Sequence, residues 1–238
     1  ENIIGTGMAL KDGFASMGGF KNMSRLISFF GRANYGYDDR YLFSASLRYE
    51  GSSKFGANHK WGLFYAASGA WRISKEKFMK DVRWVDELKL RVGYGVTGSE
   101  PSSPYLSHLK YAFGSPVLID GKYVYTIAPH MNANPDLKWE EKHELSAGLD
   151  FALFNYRLSG SVDFYNRTTD GLLYEYNVPV PPNLASTTLA NVGKVSNTGV
   201  EVMLNGGIAR TKHVRFDMTG NFSYNTNKMK RLSNEMYQ

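Results

Sequence analysis

The sequence predicts an all-β chain of antiparallel strands long enough to cross a membrane. Three observations carry this. Apolar and polar residues alternate with a period of two in eight segments, each segment runs for about ten residues or more, and the links between them are short and long by turns. Side chains on a strand point to opposite faces in succession, so each segment has one apolar and one polar face. Ordinary strands run about 5–6 residues, whereas tilted strands of about 9–11 residues span a bilayer.

The first segment is Ile27–Tyr37, with Ile27, Phe29, Ala33, Tyr35 and Tyr37 on one side. Tyr41–Glu50 sets Tyr41, Phe43, Ala45, Leu47 and Tyr49 against Ser44, Ser46, Arg48 and Glu50. Trp61–Ile73 carries Trp61, Leu63, Tyr65, Ala67, Trp71 and Ile73 on one face. Next, Ser74–Glu87 reads as a short amphipathic helix, with Ser74 as its N-cap and Phe78, Val82 and Val85 on one face. Leu88–Val96 then alternates Leu88, Leu90, Val92, Tyr94 and Val96 with Lys89, Arg91, Gly93 and Gly95. Leu145–Leu153 has Leu145, Ala147, Leu149, Phe151 and Leu153 on its apolar face. Tyr156–Asn166 has Tyr156, Leu158, Gly160, Val162 and Phe164. Val195–Ile208 contains Val200, Val202, Leu204 and Ile208 against Glu201 and Asn205. Val214–Tyr224 closes the series with Val214, Phe216, Met218, Gly220, Phe222 and Tyr224.

Tyr37–Arg40, Phe154-Asn155 and Ala209–His213 are short links, and the Ser74 helix stands in on the same side. Glu50–Lys60, Gly98–Lys138 and Thr168–Leu189 are long. Outer-membrane barrels show this asymmetry, with short periplasmic turns and long extracellular loops. Aromatics fall near the segment ends: Tyr37, Tyr41, Trp71 and Tyr156 at one, Tyr49, Trp61, Phe164 and Tyr224 at the other. Two interfacial girdles would place them so.

Composition bounds the chemistry. The 238 residues hold no Cys, which excludes disulfides, thiolate metal sites and a Cys nucleophile. An aromatic content of 14% excludes a disordered chain. The 28 Lys and Arg are spread among 22 acids, so the net charge of +6 describes a solvated surface and not a nucleic-acid patch. The mean hydropathy of −0.37 suits a barrel whose lumen and loops are polar. The five His lack metal-site spacing, and no GxSxG elbow, P-loop or GxGxxG is present. Asp38-Asp39 reads as turn chemistry. These readings leave no enzyme, metal or cofactor to assign. The first residue is Glu, and no signal-peptide pattern follows it.

With the segments placed, several strings become recognisable. Phe30-Gly31-Arg32-Ala33-Asn34-Tyr35, Arg48–Gly56, Ala70–Lys80, Leu88–Gly98, Asn134–Glu140, Gly148–Phe151, Asp163–Asp170 and Asn191–Glu201 stand in order along the chain. Together they resemble the SusC/RagA-type TonB-dependent outer-membrane transporters of Bacteroidetes, with Glu50 where that family usually has Asp and Lys54 where it has Arg.

The resemblance implies a 22-stranded transmembrane barrel with an N-terminal plug, of which these residues supply about eight long strands and one short periplasmic-side helix. It implies import of oligosaccharides or peptides across the outer membrane of a Gram-negative, Bacteroidetes-type bacterium. The implied partners are TonB, a SusD-like surface lipoprotein, outer-membrane lipid and a glycan or peptide substrate, with no nucleic acid. The reading for residues 1–238 is thus a partial barrel, an internal piece lacking plug, TonB box and final strands. The C-terminal Asn234–Gln238 does not read as a terminal insertion strand. A closed eight-stranded barrel, a soluble β-sandwich carbohydrate-binding module and a barrel enzyme remain as rivals. Aromatic faces stack on sugars and peptide side chains, so loop residues Tyr105, Tyr123 and Tyr125, with Tyr111 and Trp139, are the candidate ligand contacts.

Overall fold

Eight strands pair into one antiparallel sheet in the computed structural model, which describes residues 2–4, 8–9, 15–16, 19–211 and 213–232. Near the start, β1 (Asn2–Ile4) pairs with β4 (Gly19–Lys21), and β2 (Met8–Ala9) pairs with β3 (Ala15–Ser16). The large sheet uses β5 (Leu26–Tyr37), β6 (Tyr41–Ser52), β7 (Trp61–Arg72) and β8 (Val85–Ser99). It continues, after a hairpin of β9 (Lys110–Ile119) and β10 (Lys122–Met131), with β11 (Glu140–Leu153), β12 (Leu158–Asn177), β13 (Thr187–Arg210) and β14 (Arg215–Arg231). Its order follows the chain, β5-β6-β7-β8-β11-β12-β13-β14, and its outer strands β5 and β14 do not pair with each other. The sheet is therefore open, which rules out a closed eight-stranded barrel for these residues.

Each of the eight expected segments is a strand of this sheet. The expected helix is not formed. Residues 73–79 make two 3-10 turns, Ile73–Lys75 and Lys77–Met79, and the Ser74 side chain caps neither. Two forces override helical periodicity here. The Glu76 carboxylate accepts bonds from Tyr41 Oη at 2.6 Å, Trp71 Nε1 at 3.0 Å and Arg40 Nη1 at 3.1 Å, which folds the segment back onto the strand ends. Val85 and Glu87 are also claimed by β8, where they pair with Leu153 and Ala152. A 14-residue helix would be about 21 Å long, yet it would have to join strands about 4.8 Å apart.

Other boundaries move as well. Four residues, 154–157, separate β11 from β12, so Tyr156 lies in the turn and the strand begins at Leu158. Phe154, Asn155 and Tyr156 all have positive φ there. The long loop expected over Thr168–Leu189 is mostly strand, because β12 runs to Asn177 and β13 starts at Thr187. The Gly98–Lys138 stretch holds the β9–β10 hairpin, whose turn is Asp120-Gly121 with φ of +50° and +74°. Asp38 and Asp39, at +52° and +50°, make the corresponding turn between β5 and β6. Such turns match the right-handed twist of paired strands and require positive φ at both positions. The Asn234–Gln238 segment lies outside the described residues.

Burial inverts the pattern of a soluble domain. On β8, Leu90, Val92 and Tyr94 are exposed while Lys89, Arg91 and Gly93 are half-covered. Among the described residues only ten apolar side chains are buried, and most sit near the long-loop end of the sheet.

Candidate functional site

The register tilts the apolar face into a belt. One row of paired residues crosses the whole sheet: Tyr37, Tyr41, Trp71, Leu90, Leu149, Val162, Val202 and Phe222. On β5 the apolar positions start at this row and run to Ile27. On β14 they start eight residues below it, at Val214, and end two residues above it, at Tyr224. Both edges thus slip by eight residues over seven strand-to-strand steps. At about 3.3 Å along a strand and about 4.8 Å between strands, that slope corresponds to a tilt of about 38°. Ten residues at this tilt give a belt about 26 Å tall. Both values match membrane barrels, with a tilt of about 35–45° and an apolar band of about 25 Å.

The tilt also levels the aromatics. Tyr49 and Phe164 stand on different paired rows, yet both fall on the upper edge once the slope is applied. At that edge Trp61 stacks on Tyr49 at 4.8 Å and on Phe29 at 6.5 Å. At the lower edge Tyr37 stacks on Tyr41 at 6.4 Å, and Trp84 on Phe154 at 6.0 Å. Side chains with an apolar body and a polar tip are the ones that favour such boundaries.

The opposite face is ionic and small. Arg91 donates to Asp150 through Nε at 2.9 Å and Nη2 at 2.7 Å, and to Asp163 at 2.8 Å. Lys89 lies 2.8 Å from Asp150. Arg167 donates to Glu144 at 2.8 Å. Between these pairs run Ser44, Ser68, Gly93 and Ser146, which line a groove of ≈ 500 Å³ with Arg91 and Asp163. Alternation already placed Lys89, Arg91, Asp150 and Asp163 on polar faces. Only the register shows that three strands, β8, β11 and β12, bring them together.

Three long connections are tied together at the long-loop end. Phe55, Phe64, Val96 and Trp139 form a buried cluster. Trp139 lies 4.5 Å from Phe55 and 5.2 Å from Phe64, and its Nε1 donates to the Lys60 carbonyl at 3.2 Å. Backbone bonds from Gly56 to Leu137 and from Asn58 to Pro135 join the connection after β6 to the one before β11. Three asparagines pin the rest. Asn132 binds the 184–187 backbone through four bonds, Asn134 donates to the Leu189 carbonyl at 2.7 Å, and Asn191 donates to the Lys138 carbonyl at 2.8 Å. Lys54 donates to Glu100 at 2.8 Å, as does the Ser52 hydroxyl. Burial alone would raise the Glu100 carboxyl, but the bonds from Ser52 and Lys54 hold it below its ordinary value. Sequence reasoning missed the asparagines, since an amide that reads a distant backbone carries no periodic signal.

The five candidate ligand aromatics separate. Trp139 is 4% exposed and inside the cluster. Tyr105 accepts a bond from the Met23 backbone N–H at 3.1 Å and packs edge-on against His108. Tyr123 and Tyr125 stand together on β10, 64% and 56% exposed, opposite Leu118 and Pro116. Tyr111 and Phe113 on β9 are also exposed.

Comparison with known proteins agrees with this geometry. Residues 11–236 match the family described as TonB dependent receptor-like, beta-barrel. The chain is 34% identical over 224 residues to the TonB-dependent receptor SusC of Bacteroides thetaiotaomicron, covering 90% of this chain and 22% of that protein. It is 40% identical over 211 residues to the TonB-dependent receptor P39 of Formosa agariphila, covering 88% of this chain and 20% of the relative. Among solved structures, the RagAB peptide transporter superposes with a TM-score of 0.80 at 30% identity, over 94% of this chain and 24% of that one. The chain thus spans about a fifth to a quarter of the length of the proteins it matches.

Proposed function

The chain belongs to the TonB-dependent receptor-like β-barrel family, and from that premise we propose that it is one wall of an outer-membrane nutrient importer of the SusC/RagA type. The observation that carries this reading is the tilted apolar belt, backed by a polar, ion-paired inner face. A β-sandwich would bury one face of such a sheet against another sheet. Here the apolar face is the exposed one and is sized for lipid.

In this reading residues 1–238 form a partial barrel, and the plug, the TonB box and the remaining strands lie outside them. β5 and β14 then pair with further strands of the same wall, since an open edge is not stable in lipid. The short turns face the periplasm, and the long-loop end faces outward in a Gram-negative, Bacteroidetes-type cell. The protein binds and moves a substrate without transforming it. Energy comes through TonB, and a SusD-like lipoprotein is the outer partner. Cargo is an oligosaccharide or a peptide. The RagAB peptide transporter, which is similar to this chain, supports the peptide part of that range.

Tyr123 and Tyr125 are the aromatics placed to meet cargo or lid, while Trp139 holds the loops in place. The whole protein tests the reading. A cysteine at Phe222 should be labelled by a lipid-phase probe, and one at Ser223 only by a water-soluble reagent. Deleting the gene should abolish growth on one class of oligomeric nutrient, and loss of TonB should do the same. Aqueous labelling of Phe222 in the membrane-bound protein would overturn the reading.

A further inference from the structure

The importer reading leaves one buried side chain without a task, the Asn132 carboxamide at the foot of the β9–β10 hairpin. It is 9% exposed. A carboxamide has two N–H donors and an oxygen with two lone pairs, and here all four are used. Nδ2 donates to the Ala185 carbonyl at 2.7 Å and to the Thr187 carbonyl at 2.9 Å. Oδ1 accepts from the Leu184 and Ala185 N–H groups at 3.1 and 3.0 Å. The Asn132 backbone adds a bond to the Thr187 carbonyl at 3.0 Å and a parallel bridge to Thr188. The Thr187 hydroxyl donates to the His130 carbonyl at 3.3 Å, and the Asn134 amide to the Leu189 carbonyl at 2.7 Å. The end of β10 is thereby fastened along the start of β13. Its neighbours Met131, Ala185 and Thr188 are buried as well.

What this seat holds is a ribbon with one coherent face. On β10, Tyr123, Tyr125 and Ile127 lie on one side, opposite Leu118, Pro116 and Phe113 of β9. Between Phe113 and Pro116, β9 carries one residue more than β10, and this bulge brings both halves of β9 to the same side. None of the six is charged. A two-stranded ribbon is marginal by itself in water, and among the described residues its bonds to the wall lie at its base. Tyr125 stands seven residues from Asn132, about 23 Å along the strand, so a pivot of about 10° at the seat would move its ring about 4 Å.

We infer that Asn132 is a positioning residue for cargo binding: it fixes the hairpin to β13 and so sets where the Tyr123–Tyr125 face stands. The inference rests on the importer reading and deepens it, assigning this face to cargo and not to the lid. A Tyr ring with its polar tip suits stacking on a peptide side chain or a sugar ring.

The test uses the whole protein in its native outer membrane. The probes are a tryptic digest of casein and dextrin, each the sole supply to a deletion strain complemented with wild type or variant. Gene-dependent growth is fitted for its maximum and its half-saturating concentration. Asn132→Asp keeps the shape, loses both donated bonds and sets an oxygen against two carbonyls. The seated fraction falls and apparent affinity falls with it, so half-saturation should rise about tenfold. The maximum and the amount of protein in the outer membrane should match wild type. Hydrogen exchange should quicken over residues 110–131 while β12 and β13 stay protected. Tyr125→Ala should raise half-saturation several-fold in the wild-type background and add little to Asn132→Asp, because the ring is already misplaced. Asn134→Asp, which loses one bond of the same seat, should shift half-saturation in the same direction and serves where Asn132→Asp fails to assemble. Unchanged half-saturation in both seat variants would overturn the role of Asn132 and leave the importer reading standing. So would an equal cost of Tyr125→Ala in both backgrounds. Loss of a co-purifying surface lipoprotein at unchanged half-saturation would give the face to the lid and overturn the cargo assignment. Growth that depends on the gene with neither probe would overturn the importer reading and this inference with it.

Discussion

The belt and the long-loop cluster are made from the same residue types and stabilised in opposite ways. In the belt, Val162, Phe164, Phe222 and Tyr224 face outward and are 39–64% exposed. Their strands are held by ladders of backbone bonds, and lipid supplies the apolar surroundings. At the loop end, Phe55 and Trp139 are 1% and 4% exposed, with their rings covered by protein. That cluster is a small core of the soluble kind, placed where the chain leaves the membrane and must bury its own apolar surface. An apolar side chain is thus replaceable by size in the loop cluster and by polarity in the belt.

Truncation separates the two most strongly. Trp139→Ala removes a covered indole and leaves a cavity, at a cost of about 3–5 kcal/mol, while the Lys60 carbonyl keeps its bond from the Ser52 N–H. The expected readout is faster hydrogen exchange over residues 53–60 and 132–140, with the strands still protected. Val162→Ala, in mid-belt, removes methyl groups that lipid can replace, so it should cost under about 1 kcal/mol. If both cost the same in folded protein, the distinction between core and belt fails.

Charge reverses the ranking of sites. Val162→Arg places a cation near the middle of the apolar band and should cost about 2–4 kcal/mol, read as reduced assembly in the outer membrane. An Arg at Tyr105, an exposed loop position, should assemble normally. Normal assembly of Val162→Arg would mean that the belt does not contact lipid.

What was legible in the sequence follows the same division. Alternation is forced wherever one face meets lipid and the other a polar lumen, so all eight wall strands could be read. It fades once a strand leaves the bilayer, because both faces then meet water. That is why the extensions of β12 past Thr168 and of β13 before Val195 read as loop. The Asp120-Gly121 turn was a usable hairpin signal, and the length of the surrounding stretch hid it. The expected helix failed because Phe78 and Val82 suggested a period, while Tyr41 and Trp71, distant in sequence, supplied the bonds to Glu76. The cluster itself was not legible. Trp139 read as a candidate ligand aromatic, since nothing local to it says that Phe55 and Phe64 cover its ring.

Backbone closeness gives a smaller test. A Cβ on Gly56 would run into the Pro135 carbonyl oxygen and lie 2.9 Å from the Leu137 nitrogen, both backbone atoms that a side-chain shift cannot clear. Gly56→Ala should therefore spread the two connections and cost about 1–3 kcal/mol, with proteolysis near residues 56–58 as the readout. Gly31, on the outward face of β5, has nothing within 4 Å of its added Cβ. Gly31→Ala should leave assembly unchanged. A Gly56→Ala protein as resistant as wild type would show that the two connections are not locked through this contact.

The smallest effect expected is a pH dependence confined to the loop end. Glu100 binds Lys54 and Ser52 in its ionised form, and its carboxyl is held below the ordinary carboxylate value. When the connection opens, the carboxyl returns to about 4.3 and takes up a proton more readily. The open state therefore binds more protons, so protection of this connection rises with pH. It is fully present above the ordinary Glu value and is lost as pH falls through the lowered one. Hydrogen exchange over residues 99–107, corrected for its intrinsic pH dependence, should be flat from pH 8 to pH 5 and increase below pH 4. Glu100→Gln should remove that acid step and leave the wall strands untouched. An acid step of equal size in the belt strands would show that the two regions open together and not as separate units.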